Sequence, residues 1–227
     1  MMMREDSYLV DIRFWGFAKT YLRSLKALAE SKFDLPFKKK VFHTTLLRPF
    51  NTYDEDELVD RFSDYCSRFA GHKIPFTISD FDVFHNDQKI IYANINPSQE
   101  LLDFRSGLEE YLDDLIAYKQ SKITSSHDEG GFNPHVTLLK KGVDDSNYEW
   151  ILSYLNGFTV DNPIGQYLLR VTLVKNKSIH AEYDLFQNKM LDRELAIDDS
   201  YFKRTYAEFS SKTGLVSDPA GFSKRLN

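Results

Sequence analysis

The sequence predicts an α+β fold built on antiparallel sheets, and three observations predict it. Strand and helix patterns are interleaved without strict βαβα order, hairpin patterns occur in both halves, and a His-X-Thr-Leu-Leu strand occurs twice. Each copy is followed by a helix and then a hairpin, a weak internal echo with no short solenoid period. The chain has 227 residues, 42% hydrophobic and 15% aromatic, which is ample for a core and unlike a disordered chain.

The elements follow in order. Residues 7–13, YLVDIRF, read as a buried strand, and Ala18, Tyr21, Leu22, Leu25, Leu28 and Ala29 then recur at helical spacing. VFHTTLL (41–47) reads as a second strand ended by Pro49. Thr52 with Glu55 makes a capping box for a helix whose stripe is Leu58, Phe62, Tyr65, Cys66 and Phe69, with Gly71 as its stop.

Residues 74–84 and 88–95 suit a hairpin turning at 85–88, and 97–118 suit a helix burying Leu101, Phe104, Leu108, Tyr111, Leu112 and Leu115. The polar stretch SKITSSHDEGG leads to HVTLL (135–139); its glycines fit either a flexible cover carrying His127 or an ordinary connection. A capped helix is expected from Ser146 with Glu149, and the strands QYLLRVTLV and IHAEYDLF close a domain over 1–190. An extension over 191–227 is expected to hold an amphipathic helix, with Phe202, Tyr206 and Phe209 on one face and Gly214 as its stop, and a loose tail.

Net charge is −5, which disfavours a coat for long nucleic acid but leaves room for a local basic pocket. Cys66 is the single cysteine, so neither an intrachain disulfide nor a cysteine-based zinc cluster is possible. The N-terminal stretch has early acidic residues and no long apolar run, so neither signal peptide nor membrane span is expected. A cytoplasmic protein is the expectation.

The chemistry is carried by His43-Thr44-Thr45-Leu46-Leu47 and His135-Val136-Thr137-Leu138-Leu139. With 6 His in 227 residues, chance gives roughly 0.3 His-X-Thr matches; two occur, both on strands and both continuing Leu-Leu. Strand side chains alternate, so His43 shares a face with Thr45 and His135 with Thr137. A single such strand is ordinarily a histidine satisfied in the core; a matched pair is not. Two imidazoles suit phosphodiester chemistry without a metal, one taking a proton from the attacking oxygen and the other donating to the departing one. Threonine hydroxyls can bind the non-bridging oxygens. No His, Cys and Asp spacing supplies a full ligand set, so no metal and no cofactor is expected.

FHTTLLRPF and FNPHVTLLKK, with QYLLRVTLVKNKSIHAEYDL as a following hairpin, resemble the 2H phosphoesterases, whose members carry two His-X-Thr/Ser-X motifs. The resemblance covers roughly residues 7–190 in layout and implies a bilobal fold, two pseudo-symmetric lobes whose antiparallel sheets line a central cleft with helices outside. It implies an active set of His43, Thr45, His135 and Thr137. It implies action on 2′,3′-cyclic phosphates or 2′–5′ linkages of an RNA terminus or small nucleotide, by hydrolysis or ligation. Arg48 and Lys140 with Lys141 follow the motifs and could hold flanking phosphates, and Phe14 or Trp15 could stack on a base. Two other classes remain open: a nucleotide-binding module without turnover, and an interaction protein that recruits a partner through its C-terminal helix.

Overall fold

The structure, a computed structural model, describes residues 6–85, 89–118, 132–158 and 164–213. Residues 86–88 of the turn expected at 85–88, the stretch 119–131 with His127, and Gly214 with the tail lie outside the described residues. The element order is β1 (Tyr8–Arg13), α1 (Gly16–Lys32), β2 (His43–Thr52), α2 (Glu55–Ser67), β3 (Pro75–His85), β4 (Lys89–Pro97), α3 (Gln99–Leu112) and β5 (Ile116–Tyr118). It continues with β6 (His135–Leu139), α4 (Tyr148–Asn156), β7 (Ile164–Tyr167), β8 (Arg170–Lys175), β9 (Ser178–Asp184), β10 (Lys189–Leu191), α5 (Arg193–Ile197) and α6 (Asp199–Thr213).

The strands form two antiparallel sheets, ordered β10-β9-β8-β1-β2-β5 and β6-β4-β3-β7. Their shared plan is visible in β8-β1-β2 and β3-β4-β6. In each trio the motif strand pairs with an earlier strand, the connection running through α1 in one lobe and through α3 and then β5 in the other. The lobes are not the sequence halves, however. The β3–β4 hairpin that follows the first motif crosses into the second sheet, and β8–β9 returns to pair with β1. The fold is α+β and bilobal, as the sequence and its resemblance imply.

Alternation along the strands places the core. Val10, Ile12, Leu46, Val171 and Leu173 are fully buried on one side of the first sheet, and Val136 and Leu138 are buried on β6. Helix α1 adds Tyr21, Leu22 and Leu25; α2 and α3 add Phe62 and Phe104. These apolar faces leave water together in one continuous cluster, the main favourable term of the fold.

Several boundaries differ from expectation for local reasons. Strand β2 continues through Pro49 because the proline sits in a bulge: Leu47 pairs with Val10 and Phe50 with Tyr8, so β2 carries one extra residue there. The cap of α2 is Asp54, whose carboxylate accepts from Glu57 N at 3.0 Å, while the Thr52 hydroxyl accepts from Asp54 N at 3.3 Å. Helix α3 stops at Leu112, and Ile116–Tyr118 turn into an edge strand on β2. Helix α4 begins at Tyr148, two residues after Ser146, whose N–H is held by the Asp144 carboxylate at 2.9 Å. QYLLRVTLV is two strands, broken at the buried Leu168 and Leu169, because β7 joins the second sheet and β8 the first.

The segment after residue 190 lies over the polar side of the first sheet. Arg170 is buried there; its Nε donates to Asp184 at 3.0 Å, and its two terminal nitrogens donate to Glu182 at 3.0 Å and Thr205 of α6 at 3.2 Å. Arg13 reaches Glu182 at 2.7 Å and the Ala196 carbonyl of α5 at 2.7 Å. Phe209 packs on Trp15, Phe186 and Tyr167, and the ring of Tyr206 lies tilted against Trp15 at 4.8 Å. The ring face expected for capture of a partner is therefore covered by this chain's own residues.

Removing Arg170 would leave the Glu182 and Asp184 carboxylates buried without their cation. Arg170→Ala should lower unfolding stability by about 3–5 kcal/mol in urea denaturation. Arg204→Ala, on the exposed side of α6, should change it by less than about 0.5 kcal/mol.

Candidate active site

The two motifs sit on strands with the same burial rhythm. His43 and Thr45 are half-buried while Thr44 and Leu46 between them are buried; His135 and Thr137 are half-buried while Val136 and Leu138 are buried. Both histidines are tethered in the same way. His43 Nδ1 lies 3.0 Å from the carbonyl of Val41, and His135 Nδ1 lies 3.1 Å from the carbonyl of Asn133, each two residues upstream. A carbonyl can only accept, so each Nδ1 carries a proton and a neutral ring keeps its lone pair on Nε2.

Strands β2 and β6 touch across the two sheets, and their relative direction follows from what lies at their ends. Lys40, just before β2, is close enough to feel the charge of Lys140, just after β6. Arg105 of α3 donates to the Leu46 carbonyl at 3.3 Å and lies 5.1 Å over the ring of Phe132, just before β6. The start of one motif strand thus lies beside the end of the other.

The neighbouring strands break this symmetry. Directly opposite Thr45 and His43 on β1 stand Asp11 and Arg13; directly opposite Thr137 and His135 on β4 stand Tyr92 and Asn94. The Thr45 hydroxyl donates to Asp11 at 2.9 Å, and the other Asp11 oxygen is 3.8 Å from His43 Nε2. Burial pushes the Asp11 carboxyl above the usual aspartate range, against the opposing pull of His43 and the Thr45 hydrogen bond. His135 instead sits in an aromatic corner, its ring edge-on to Phe84 at 4.8 Å and Tyr92 at 5.3 Å. Tyr92 is buried, stacks on Phe84 at 4.0 Å and has its hydroxyl pushed up to about 12 by burial and by Asp82.

Arg48 is exposed in the middle of β2, and Lys140 is exposed just past the end of β6. Phe14 and Trp15 are not open to a base. Both are 4% exposed; Phe14 packs edge-on to Phe76, and the Trp15 indole N–H donates to the Tyr167 carbonyl at 3.1 Å. His180 pairs with Glu55 at 3.0 Å, His72 lies beside Phe69, and His85 lies edge-on to Tyr148. Among the described residues, no group of three or more His, Cys, Asp or Glu side chains is placed to hold a metal ion.

Sequence reasoning passed over Asp11, Arg13, Phe84 and Tyr92. A signal for the first two was present. In YLVDIRF the apolar Val10 and Ile12 alternate with Asp11 and Arg13, which puts a carboxylate on the same face as the motif. Pairing Asp11 with Thr45 needed the register of β1 on β2.

Residues 14–176 match the family model of the 2′-5′ RNA ligase superfamily. The chain belongs to this superfamily, the two-histidine phosphoesterases. No curated protein sequence matches it significantly. Among solved structures it is similar to TT0787 of Thermus thermophilus, at 12% identity over 79% of this chain and 97% of that one, with a TM-score of 0.49. It is also similar to E. coli LigT in its apo form, at 12% identity over 83% and 94%, with a TM-score of 0.44. Kluyveromyces marxianus Usb1 with uridine monophosphate matches at 12% identity over 77% and 96%, with a TM-score of 0.43.

Asp11 gives a pH test of the site. Its folded pKa is raised, so its contribution to stability is full below about pH 4, the ordinary aspartate range, and declines as pH rises through the folded value. Asp11→Asn does not titrate. Its stability relative to the parent should therefore improve between pH 4 and pH 7 in urea denaturation, and a difference independent of pH would show that Asp11 ionises without cost.

Proposed function

We propose that this protein is a metal-independent phosphoesterase acting on 2′,3′-cyclic phosphate or 2′–5′ phosphodiester bonds of RNA or nucleotides, with His43 and His135 as its acid–base pair. The observation that carries the reading is the contact between β2 and β6, two strands that each keep a His-X-Thr pair on their half-buried face. Family membership supports a phosphoesterase; the substrate bond and the residue roles are this proposal's own.

With a cyclic phosphate, one neutral imidazole takes a proton from water through Nε2 as the water oxygen bonds to phosphorus. The other imidazole, protonated, gives its proton to the departing ribose oxygen as that P–O bond breaks. Water is consumed, a phosphomonoester and a free hydroxyl are formed, and solvent exchange restores the two protonation states. A ribose hydroxyl in the place of that water, with the same two roles, would be joined to phosphorus as the cyclic P–O bond opens, and reversal of the roles would cleave that linkage and re-form the cyclic phosphate. The backbone tethers occupy Nδ1 of both rings, so proton exchange with substrate falls to Nε2. Thr45 and Thr137 bind the non-bridging oxygens. While Asp11 is ionised it accepts the Thr45 proton; with its carboxyl protonated it can donate to Thr45, freeing the Thr45 proton for the phosphate.

A cytoplasmic setting belongs to this reading. Cys66 is a free, buried thiol, which suits a reducing compartment. Among the described residues no helix is long and apolar enough to cross a membrane.

Product analysis with 2′,3′-cyclic AMP, a cyclic-phosphate-ended RNA and a 2′,5′-oligoadenylate, in chelator, tests the proposal. Turnover of at least one substrate is expected, with a bell-shaped pH profile. His43→Ala and His135→Ala should each lower kcat by about 10²–10⁴-fold, and Thr45→Val or Thr137→Val by about 10²-fold. Normal turnover by either alanine variant would overturn the acid–base assignment. Tight nucleotide binding without turnover of any substrate would favour a binding module.

A further inference from the structure

Although the chain is acidic overall, five of its lysines lie in two short runs, Lys38-Lys39-Lys40 and Lys140-Lys141, that flank the start of β2 and the end of β6. The segments that carry the two runs pack closely, the backbone of Gly142 lying against the side chains of Pro36 and Leu35. Gly142, at φ +77°, has no room for a side chain: a Cβ there would lie 2.8 Å from Pro36 Cδ and 3.2 Å from Leu35 Cδ2. Lys26 of α1 joins the group from below, paired with Glu30, and Glu30 also lies 3.4 Å from the Lys38 backbone N–H. Lys40 is half-buried, and burial together with Lys26, Lys140 and Lys38 pushes its ammonium down to about 8. Like charges gathered at a partly dry surface repel one another, and a bound polyanion would relieve that repulsion.

An aromatic ring stands in the same patch. Phe37 is 80% exposed, although it is a large apolar side chain, and Lys26 Nζ lies 5.3 Å from its ring centroid. Val41, two residues before His43, is 63% exposed on the same stretch. An open ring set among lysines is the combination that holds single-stranded nucleic acid, with stacking for a base and ammonium groups for phosphates. Lys40 is three residues before His43 and Lys140 three after Thr137, so this patch adjoins the proposed cleft.

We infer that Phe37, Lys38, Lys40 and Lys140 form a second binding site, a track for the nucleotides that neighbour the reacting phosphate, and that the substrate is therefore a single-stranded RNA chain rather than a mononucleotide. This rests on the proposed function only in placing the reacting phosphate at the two histidines. The track binds the sugar-phosphate backbone through ammonium groups and one base through the Phe37 ring. Its recognition is tolerant of sequence and weakens with salt.

The test is binding by fluorescence anisotropy of a 2′-O-methyl RNA octamer ending in a 3′-phosphate, against a nucleoside 3′-monophosphate, so that no turnover is required. The octamer should bind at least about 10-fold tighter than the mononucleotide in 0.1 M salt. Phe37→Ala and Lys140→Ala should each reduce that ratio by about 5-fold or more, and Lys40→Ala with Lys140→Ala should lower the salt slope by about 1.4. Circular dichroism melts of the exposed-site variants check that they stay folded. Equal affinity for octamer and mononucleotide, or an octamer preference that survives all three substitutions, would overturn the track. Lysine-dependent binding to phosphatidylserine vesicles, with no octamer preference, would overturn it in favour of a membrane surface. Length-dependent, lysine-dependent binding in a protein that turns over nothing would uphold the track and fail the proposed chemistry. Turnover of cyclic AMP without any length dependence would do the reverse.

Discussion

The contact between β2 and β6 is the constraint on which the rest of the structure depends. Each strand has one side of Leu, Val and Thr that is buried and one side that carries a histidine and a threonine at partial exposure. Burying the first side against helices leaves the second facing outward, and a strand that ended a sheet in that state would expose polar groups to bulk water alone. The two strands meet start beside end, and in the proposed function their outward sides form one shared surface. The crossing of the β3–β4 hairpin into the second sheet and the return of β8–β9 to the first bind the two lobes by chain connection as well as by contact.

Within that common plan the two motifs differ in their surroundings. Both imidazoles are oriented by a carbonyl two residues upstream, so orientation is symmetric. The groups beside them are not: a buried carboxylate and an arginine on one side, two aromatic rings and an asparagine on the other. Two motifs alike but for Thr44 against Val136 thereby stand in distinct environments. The C-terminal helices extend the same polar side of the first sheet, since Arg13 and Arg170 tie α5 and α6 to Glu182 and Asp184.

Much of this was legible in the sequence, because period-2 and period-3.6 patterns report burial directly. The α+β class, α1, the stripe of α2 and both motif strands come from that signal. What escaped it depended on partners distant in sequence. Pro49 reads as a stop until the bulge opposite Val10 is known, and QYLLRVTLV reads as one strand until its halves are seen in different sheets. Phe14 and Trp15 read equally as stacking or core residues; Phe76, Tyr206 and Phe209, from remote parts of the chain, decide for the core. Asp11 was visible as a charged residue in an apolar strand, but its pairing with Thr45 and His43 is a matter of register.

The central claim is that both imidazoles act on one phosphorus. Imidazole ¹⁵N resonances followed while a nucleoside 2′-monophosphate is titrated in would test it directly. The Nε2 signals of His43 and His135 should move together with a single Kd, while those of His72 and His180 stay still. Movement of only one of the pair, or of the two with separate affinities, would contradict it.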